Sequence, residues 1–265
     1  MSDRQTMERQ PIERLLRVME KLRDPDNGCP WDKEQTWKSL LEHTLEEAYE
    51  VAAAIETDQP ASEVANELGD LLFQVVFYSQ IATEEDKFTF NDVVTQLSDK
   101  LERRHPHVFG DRNLQRHELD KVWHETKAKE REAKSMTSVL DDIPTSLPAM
   151  TRAQKIQRRA ANEGFDWSDY QGVFDKLDEE TVELKQAIDA NDATQIEDEI
   201  GDMFFTLVNL SRHFSVDAET SLRRSANKFE QRYRQMETLI QQDGSKVSEL
   251  DQDALERYWQ QVKNS

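Results

Sequence analysis

The chain has 265 residues, room for one large domain or two ordinary ones, and a formal net charge of −20 at pH 7. That charge argues against non-specific nucleic-acid binding, because acidic surfaces repel phosphate backbones, although a small polyphosphate can still bind through metal ions. A single cysteine, Cys29, excludes an intrachain disulfide, and no apolar run has signal-peptide or membrane-span length, so we expect a cytoplasmic protein without a membrane partner.

Seven glycines and seven prolines provide few turns for an all-β fold, so we expect an all-α protein. Residues 24–34 are predicted to form a loop, because Pro25, Gly28 and Pro30 interrupt the helical pattern. Amphipathic periodicity predicts helices at residues 11–23, 37–57, 61–83, 90–104, 116–134, 150–163, 172–190, 193–213, 217–242 and 249–264.

An acidic spacing occurs twice in the chain, about 132 residues apart. The first copy reads Glu46-Glu47-x-x-Glu50 and then Glu67-x-Gly69-Asp70, and the second reads Glu179-Glu180-x-x-Glu183 and then Glu199-x-Gly201-Asp202. The whole domain is therefore predicted to be duplicated. We expect a first domain at 1–135, a linker at 136–149 that contains Pro144 and Pro148, and a second domain at 150–265.

Each copy is expected to place pairs of carboxylates on one helix face, because residues three apart on a helix are neighbours. A solvated acidic surface is the simpler interpretation in a chain with 54 acidic residues. However, Leu71, Leu72, Met203 and Phe204 follow the aspartates, so these helices are predicted to be interior and their carboxylates partly buried.

Electrostatic repulsion favours a metal site over an acidic surface. Two carboxylates about 4 Å apart repel by roughly 4 kcal/mol at an effective dielectric constant of 20, and four converging carboxylates contain six such pairs. A divalent cation removes this cost, and a ligand set made of oxygen atoms favours Mg²⁺ or Mn²⁺ over zinc. The mid-helix glycines Gly69 and Gly201 predict either a close helix approach or room for a ligand.

The paired motifs resemble the all-α nucleoside triphosphate pyrophosphohydrolase superfamily and, within it, the MazG family. The resemblance extends over nearly the whole chain and includes the segments GCPWDKEQT, NELGDLLFQVVFYSQ, DKLERRHPHVFGD, DDIPTSLPAMTRAQKIQ, GFDW and WQQVK. It implies tandem helical-bundle domains that form homodimers. It also implies hydrolysis of nucleoside triphosphates and deoxynucleoside triphosphates, with Mg²⁺, to the monophosphate and pyrophosphate over a broad range of bases.

The same resemblance implies roles for individual residues. Glu180, Glu183, Glu199 and Asp202 would bind the metal of the second domain, and Lys176, Lys228, Arg232 and Trp259 would contact the nucleotide. The matching first-domain metal ligands would be Glu47, Glu50, Glu67 and Asp70. Either Glu179 or Glu183 would orient the attacking water, and the sequence does not choose between them.

One difference between the copies favours the second as the stronger catalyst. Lys176 precedes Glu180 by one helical turn, whereas His43, largely neutral at pH 7, holds the corresponding position before Glu47. Two other hypotheses stay open at this point. One is a dedicated dUTP/dCTP or phosphoribosyl-ATP pyrophosphatase, and the other is an acidic helical scaffold that binds a regulatory protein partner.

Overall fold

The computed structural model describes residues 10–110 and 136–264, and within these residues the protein is helical without a strand. The chain divides into two compact units, one on each side of residues 111–135. The prediction of an all-α fold built from tandem domains is confirmed. The predicted helix at 116–134 lies outside the described residues, and the predicted domain boundaries stay a prediction.

The first unit contains six described helices. They are α1 (Gln10–Leu22), α2 (Pro30–Glu34), α3 (Leu40–Glu56), α4 (Ala61–Glu84), α5 (Phe90–Arg104) and α6 (Pro106–Phe109). Pro60 precedes α4, and α5 begins with a capping box in which Thr89 and Asp92 bond each other's backbone N–H groups. Prediction of a loop through residue 34 was wrong at Pro30, because proline suits the first turn of a helix and α2 begins there.

The core of the first unit forms where α1, α3 and α4 meet. Met19, Leu40 and Phe77 are almost completely buried and pack together with Val76 and Ile81. Because α3 packs along α4, the acidic residues of these two helices are brought to a common face.

The second unit contains five described α-helices. They are α7 (Ala149–Asn162), α8 (Tyr170–Ala190), α9 (Ala193–His213), α10 (Ala218–Gln242) and α11 (Gln252–Asn264), with a short 3₁₀ turn at Val247–Glu249. Asp169, Asp192 and Asp217 cap α8, α9 and α10 by accepting hydrogen bonds from backbone N–H groups of the first turn. These caps explain why the predicted boundaries of the helices lie so close to the observed ones.

Residues 136–148 contact the first helix of the second unit. Arg159 of α7 donates hydrogen bonds to the Val139 carbonyl and to the Asp142 carboxylate, and Ile143 is buried. The segment that was expected to be an interdomain linker therefore contacts α7 at Val139 and Asp142.

The prediction that α4 and α9 are interior helices was wrong for one face of each. Leu68, Leu72 and Val75 form an exposed stripe at spacings of four and three on α4. Ile200, Phe204 and Leu207 form the same stripe on α9. A helix this apolar needs apolar side chains packed against both of its faces, and each unit covers only one face of its helix. No described helix is long and apolar enough to cross a membrane.

Candidate metal and nucleotide site

The site of the second unit is formed by α8 and α9. Asn191 ends α8 with a positive φ of 53°, and Asp192 caps α9 directly afterwards. This two-residue connection reverses the chain and packs α9 along α8. Glu180 of the first helix therefore faces Glu199 and Asp202 of the second.

Three carboxylates converge at this point. Carboxylate oxygens of Glu180, Glu199 and Asp202 all lie within 4.8 Å of one another, which allows them to hold one metal ion. Glu180 is 2% exposed, Glu199 is half-buried and Asp202 is exposed, so the predicted burial holds for the glutamates and was wrong for Asp202. We call these three residues the C-terminal carboxylate cluster.

Lys176 supplies the positive charge next to this cluster. Its Nζ lies 2.7 Å from Glu180 Oε1 and 2.9 Å from Glu179 Oε1. Hydrogen bonds to Glu180 and Glu179 raise the pKa of Lys176, so the ammonium stays charged at neutral pH. The charge of Lys176 thus balances the carboxylate of Glu180. The negative charges of Glu199 and Asp202 have no such partner in the cluster.

The excess negative charge changes the protonation of Glu199. Burial, a hydrogen bond with Glu180 and the charges of Glu183, Glu180 and Asp202 together raise the pKa of Glu199. The folded chain therefore binds this proton more tightly than the unfolded chain does. Without metal, stability is lost as the pH rises through the pKa of Glu199, and a cation that displaces the proton removes this penalty.

Replacing Lys176 with methionine should lower the free energy of unfolding of the metal-free protein by about 1–2 kcal/mol, because buried Glu180 loses its charged partner. The loss stays this small because the Lys176 end of the ion pair lies near solvent. Saturating Mg²⁺ should reduce this deficit, because the cation would then balance Glu180. Urea unfolding with Mg²⁺ and with EDTA measures both values. A deficit that is equal in the two conditions would contradict metal binding at Glu180.

A similar cluster lies on α3 and α4. Glu47, Glu50 and Glu67 offer carboxylate oxygens within 4.8 Å of one another. Burial, followed by the charges of Asp70, Glu50 and Glu46, raises the pKa of Glu47. We call Glu47, Glu50 and Glu67 the N-terminal carboxylate cluster. Its predicted fourth member, Asp70, is exposed and acts on it through charge.

The two clusters differ in their basic neighbour. His43 Nδ1 lies 3.6 Å from Glu46 Oε2, and the His43 ring contacts the edge of Trp31. Lys176, by contrast, bonds directly to the buried member of its cluster. Lys176 and His43 therefore differ both in residue type and in which carboxylate they contact.

The other predicted site residues occupy separate positions. Glu183 lies one turn after Glu180 and acts on Glu199 through its charge. Lys228 is exposed and Arg232 half-buried on α10. Trp259 packs with its ring 5.1 Å from that of Phe229 and against the core of α10 and α11. Among the described residues no contact joins Lys228, Arg232 or Trp259 to the carboxylates, so their nucleotide contacts stay predictions.

The mid-helix glycines face open space. A Cβ atom added to Gly69 or Gly201 would meet no other atom within 4 Å. Close helix approach inside each unit therefore does not explain these glycines. Both glycines therefore leave open space beside the aspartate within a single unit.

Sequence reasoning missed two buried amides that line a cavity in the second unit. Gln157 of α7 and Asn209 of α9 are each 5% exposed and line a cavity together with the loop from Gly164 to Trp167. A signal was present in the repeat, because Asn209 follows Asp202 by seven residues just as Phe77 follows Asp70. The second unit thus has a polar residue at a position of the repeat where the first unit has a core residue.

Comparison with known proteins identifies the family. Residues 35–109 and 169–236 match the MazG nucleotide pyrophosphohydrolase domain, so that each unit contains one copy. The chain belongs to the MazG family. The predicted resemblance and the prediction of an enzyme are thereby confirmed, and the scaffold hypothesis is set aside.

Relatives of this MazG chain match it over almost its entire length. It is 49% identical to the nucleoside triphosphate pyrophosphohydrolase of Escherichia coli strain K12, over 95% of the chain and 97% of that protein. It is 44% identical to the Thermotoga maritima nucleoside triphosphate pyrophosphohydrolase/pyrophosphatase MazG, over 95% of each chain. A solved MazG-related protein from Thermotoga maritima is 27% identical over 44% of the chain and 98% of that protein, with a TM-score of 0.38.

Proposed function

We propose that the chain hydrolyses nucleoside triphosphates and deoxynucleoside triphosphates to the monophosphate and pyrophosphate, with Mg²⁺ and over a broad range of bases. The observation that carries the proposal is the C-terminal carboxylate cluster, in which buried Glu180 lies beside Glu199, Asp202 and charged Lys176. The names of the relatives from Escherichia coli and Thermotoga maritima support the same reaction.

The residues of the cluster fit a divalent cation with oxygen ligands. Glu180, Glu199 and Asp202 would hold it, with Glu183 one turn away, and Mn²⁺ would serve as a substitute for Mg²⁺. Burial raises the pKa of Glu199, and the hydrogen bond with Glu180 and the charges of Glu183, Glu180 and Asp202 raise it further, which supports a site that gains from a cation. When bound, the metal neutralises the triphosphate, polarises its phosphoryl oxygens and makes water more acidic.

The side chains of the chain then direct the hydrolysis. Glu179 or Glu183 accepts a hydrogen bond from the attacking water and orients it, the choice between them being open. The water oxygen bonds to the α-phosphorus while one of its protons passes to that glutamate, the bond from the phosphorus to the bridging oxygen breaks, and pyrophosphate leaves with the electron pair. Lys176 stabilises the negative charge that develops on the phosphoryl oxygens, because its ammonium is held beside Glu180.

Further contacts to the nucleotide are proposed for α10 and α11. Lys228 and Arg232 would bind phosphate oxygens, and Trp259 would contact the nucleoside. The N-terminal carboxylate cluster would bind metal through Glu47, Glu50 and Glu67 with Asp70, and would contribute less to the reaction because His43 replaces the lysine.

The proposal also includes a homodimer. The exposed stripes on α4 and α9 have the same register and the same apolar character, and a second copy would cover them. We place the enzyme in the cytoplasm, where nucleoside triphosphates and Mg²⁺ are available, and keep a regulatory protein partner as part of the proposal.

A panel of nucleotides tests the function. The protein is incubated with each of the eight common nucleoside triphosphates and Mg²⁺, and monophosphate, pyrophosphate and phosphate are resolved by anion exchange. We expect equal amounts of monophosphate and pyrophosphate from purine and pyrimidine substrates alike. We expect no activity from the variant that combines Glu199→Gln and Asp202→Asn. Activity confined to one base would contradict the broad range, and full activity in the double variant would contradict the site.

A further inference from the structure

An ion pair joins the loop before α8 to the end of α9. Arg212 lies in the last turn of α9, and its Nη1 donates a hydrogen bond of 2.8 Å to Asp166 Oδ2 while its Nη2 donates to Asp166 Oδ1. Asp166 belongs to the loop between α7 and α8, four residues before α8 begins at Tyr170. Two parallel hydrogen bonds to one carboxylate fix the direction of the contact as well as its distance.

Both members of this ion pair are themselves held in place. The side chains of Arg212 and Asp166 are 13% and 25% exposed. Nη2 of Arg212 also donates to Asn209 Oδ1 at 3.1 Å, and the backbone N–H of Trp167 donates to Asp166 Oδ1 at 3.0 Å. Burial acts to raise the pKa of Asp166, but the hydrogen bond and charge of Arg212 lower it overall, so Asp166 stays ionised at neutral pH.

Aromatic contacts extend this connection to the first turn of α8. A Cβ atom on Gly172 would lie 2.4 Å from Trp167 Cδ1, so the indole can lie this close to α8 only because residue 172 is glycine. Tyr170, the first residue of α8, packs against Phe214 with the ring centroids 5.4 Å apart. Because Phe214 directly follows α9, the start of α8 and the end of α9 are in contact at two places.

The C-terminal carboxylate cluster lies between this contact and the short connection at the other end of the two helices. Glu180 comes eight residues after Gly172 and eleven residues before Asn191, which ends α8. At 1.5 Å per residue, a rotation of α8 by about 5° around the connection would move Glu180 by about 1.4 Å. Mg²⁺ requires ligands near ideal octahedral positions, so a displacement of this size weakens its binding.

The first unit makes a corresponding connection with different residues. Arg23, directly after α1, donates to the Gln35 carbonyl at 3.2 Å, and its Nη2 lies 2.6 Å from Oε2 of Glu84, the last residue of α4. Here the arginine precedes the first carboxylate helix and the acid ends the second, whereas the second unit has the opposite arrangement of charges. Recurrence of the contact with exchanged charges favours a role for it in placing the carboxylate helices that both units share.

We propose that Asp166, Arg212 and Trp167 are positioning residues of the C-terminal carboxylate cluster. They hold the start of α8 against the end of α9, and this keeps Glu180 within reach of a metal ion shared with α9. The inference rests on the proposed metal-dependent hydrolysis by this cluster. Without the ion pair, α8 moves away from α9 part of the time, and a bound cation must restore the arrangement at the expense of its affinity.

Mn²⁺ binding to the full chain tests the proposal, with Glu47→Gln and Glu67→Gln present so that the N-terminal carboxylate cluster does not compete. Electron paramagnetic resonance measures the free Mn²⁺. Asp166→Asn removes the charge with little change of shape and should raise the Mn²⁺ dissociation constant about tenfold. Gly172→Ala displaces the indole while both members of the ion pair remain, and it should act in the same direction although alanine is the better helix former.

Asp142→Asn is the matched control for a loss of stability. Asp142 lies 2.6 Å from Arg159, with side chains 36% and 20% exposed, and this ion pair joins α7 to the segment before it. Urea unfolding in EDTA should show a similar shift of the midpoint for Asp142→Asn and Asp166→Asn. The Mn²⁺ dissociation constant of Asp142→Asn should stay within about twofold of the unchanged value, because this pair lies outside the α8–α9 contact.

Hydrolysis of ATP by the chain with intact Glu47 and Glu67 provides a second readout. The Mg²⁺ concentration that gives half of the maximal rate should rise about tenfold in Asp166→Asn, whereas the rate at saturating Mg²⁺ should stay within about threefold. This difference is expected because a saturating cation restores the position of Glu180. A general loss of folded protein would instead lower the rate at every Mg²⁺ concentration.

Each outcome bears on the positioning role. Unchanged Mn²⁺ affinity in either Asp166→Asn or Gly172→Ala, an equal loss in Asp142→Asn, or no Mn²⁺ binding before these changes would overturn it. Weaker Mn²⁺ binding in both variants, together with no triphosphate hydrolysis by the wild type, would support the positioning role and contradict the proposed function. Hydrolysis with an unchanged Mg²⁺ dependence in both variants would support the function and contradict the positioning role.

Discussion

Replacing Glu180 with glutamine should lower pyrophosphate release from ATP by at least about 100-fold, because a catalytic metal contributes several kcal/mol of transition-state stabilisation. Glu180 is the buried member of the C-terminal carboxylate cluster and lies 2.7 Å from Lys176. Glutamine has nearly the same shape but no negative charge. The variant should therefore stay folded while losing its anionic ligand.

Glu47→Gln is the matched control, because Glu47 occupies the same position of the repeat and belongs to the N-terminal carboxylate cluster. We expect its pyrophosphate release to fall by less than about threefold, since His43 contacts Glu46 and provides no fixed charge at Glu47. Initial rates under saturating ATP and Mg²⁺ compare the two variants. Equal losses, or a larger loss in Glu47→Gln, would contradict the assignment of the main catalytic role to the second unit.

Replacing Phe204 with aspartate should convert the proposed homodimer into a monomer. Phe204 is 51% exposed and lies between Ile200 and Leu207 in the apolar stripe of α9. An interface that covers this stripe would bury an unpaired carboxylate in the variant, which opposes association strongly. Light scattering after gel filtration should show a mass near 31.0 kDa for the variant and twice that mass for the wild type.

Gln195→Asp is the control for this experiment. It introduces the same charge on the same helix, at an exposed position on the opposite side from the stripe. The mass of this variant should equal that of the wild type. A wild-type mass of one chain, or dissociation of both variants, would contradict the proposal that α9 forms the dimer contact.

The helices were largely predictable from sequence, because their signals are local. The predicted helix at 193–213 has the observed limits of α9, with Asp192 as its cap. Pro30 was misinterpreted because a proline stops one helix and starts another equally well, and the outcome depends on the residues that follow it. The carboxylate clusters were predictable for a related reason, since helical spacing and a duplicated register restrict where the acidic residues meet.

Burial at the site was harder to predict. Apolar neighbours suggested that Asp70 and Asp202 are covered, whereas the faces of α4 and α9 beside them are open in a single chain. Gln157 and Asn209 gave no sign of importance alone, because a polar residue on an amphipathic helix is ordinarily assigned to the surface. Their burial depends on the packing of α7 against α9, which hydrophobic periodicity does not report.

Phosphorus NMR of wild-type protein with ATP and Mg²⁺ distinguishes cleavage between the α- and β-phosphates from other hydrolyses, because it follows every phosphorus atom during the reaction. We expect the ATP resonances to be replaced by those of AMP and pyrophosphate in equal amounts, and we expect EDTA to stop the reaction. Formation of ADP and phosphate, or the same rate in EDTA, would contradict metal-dependent hydrolysis between the α- and β-phosphates.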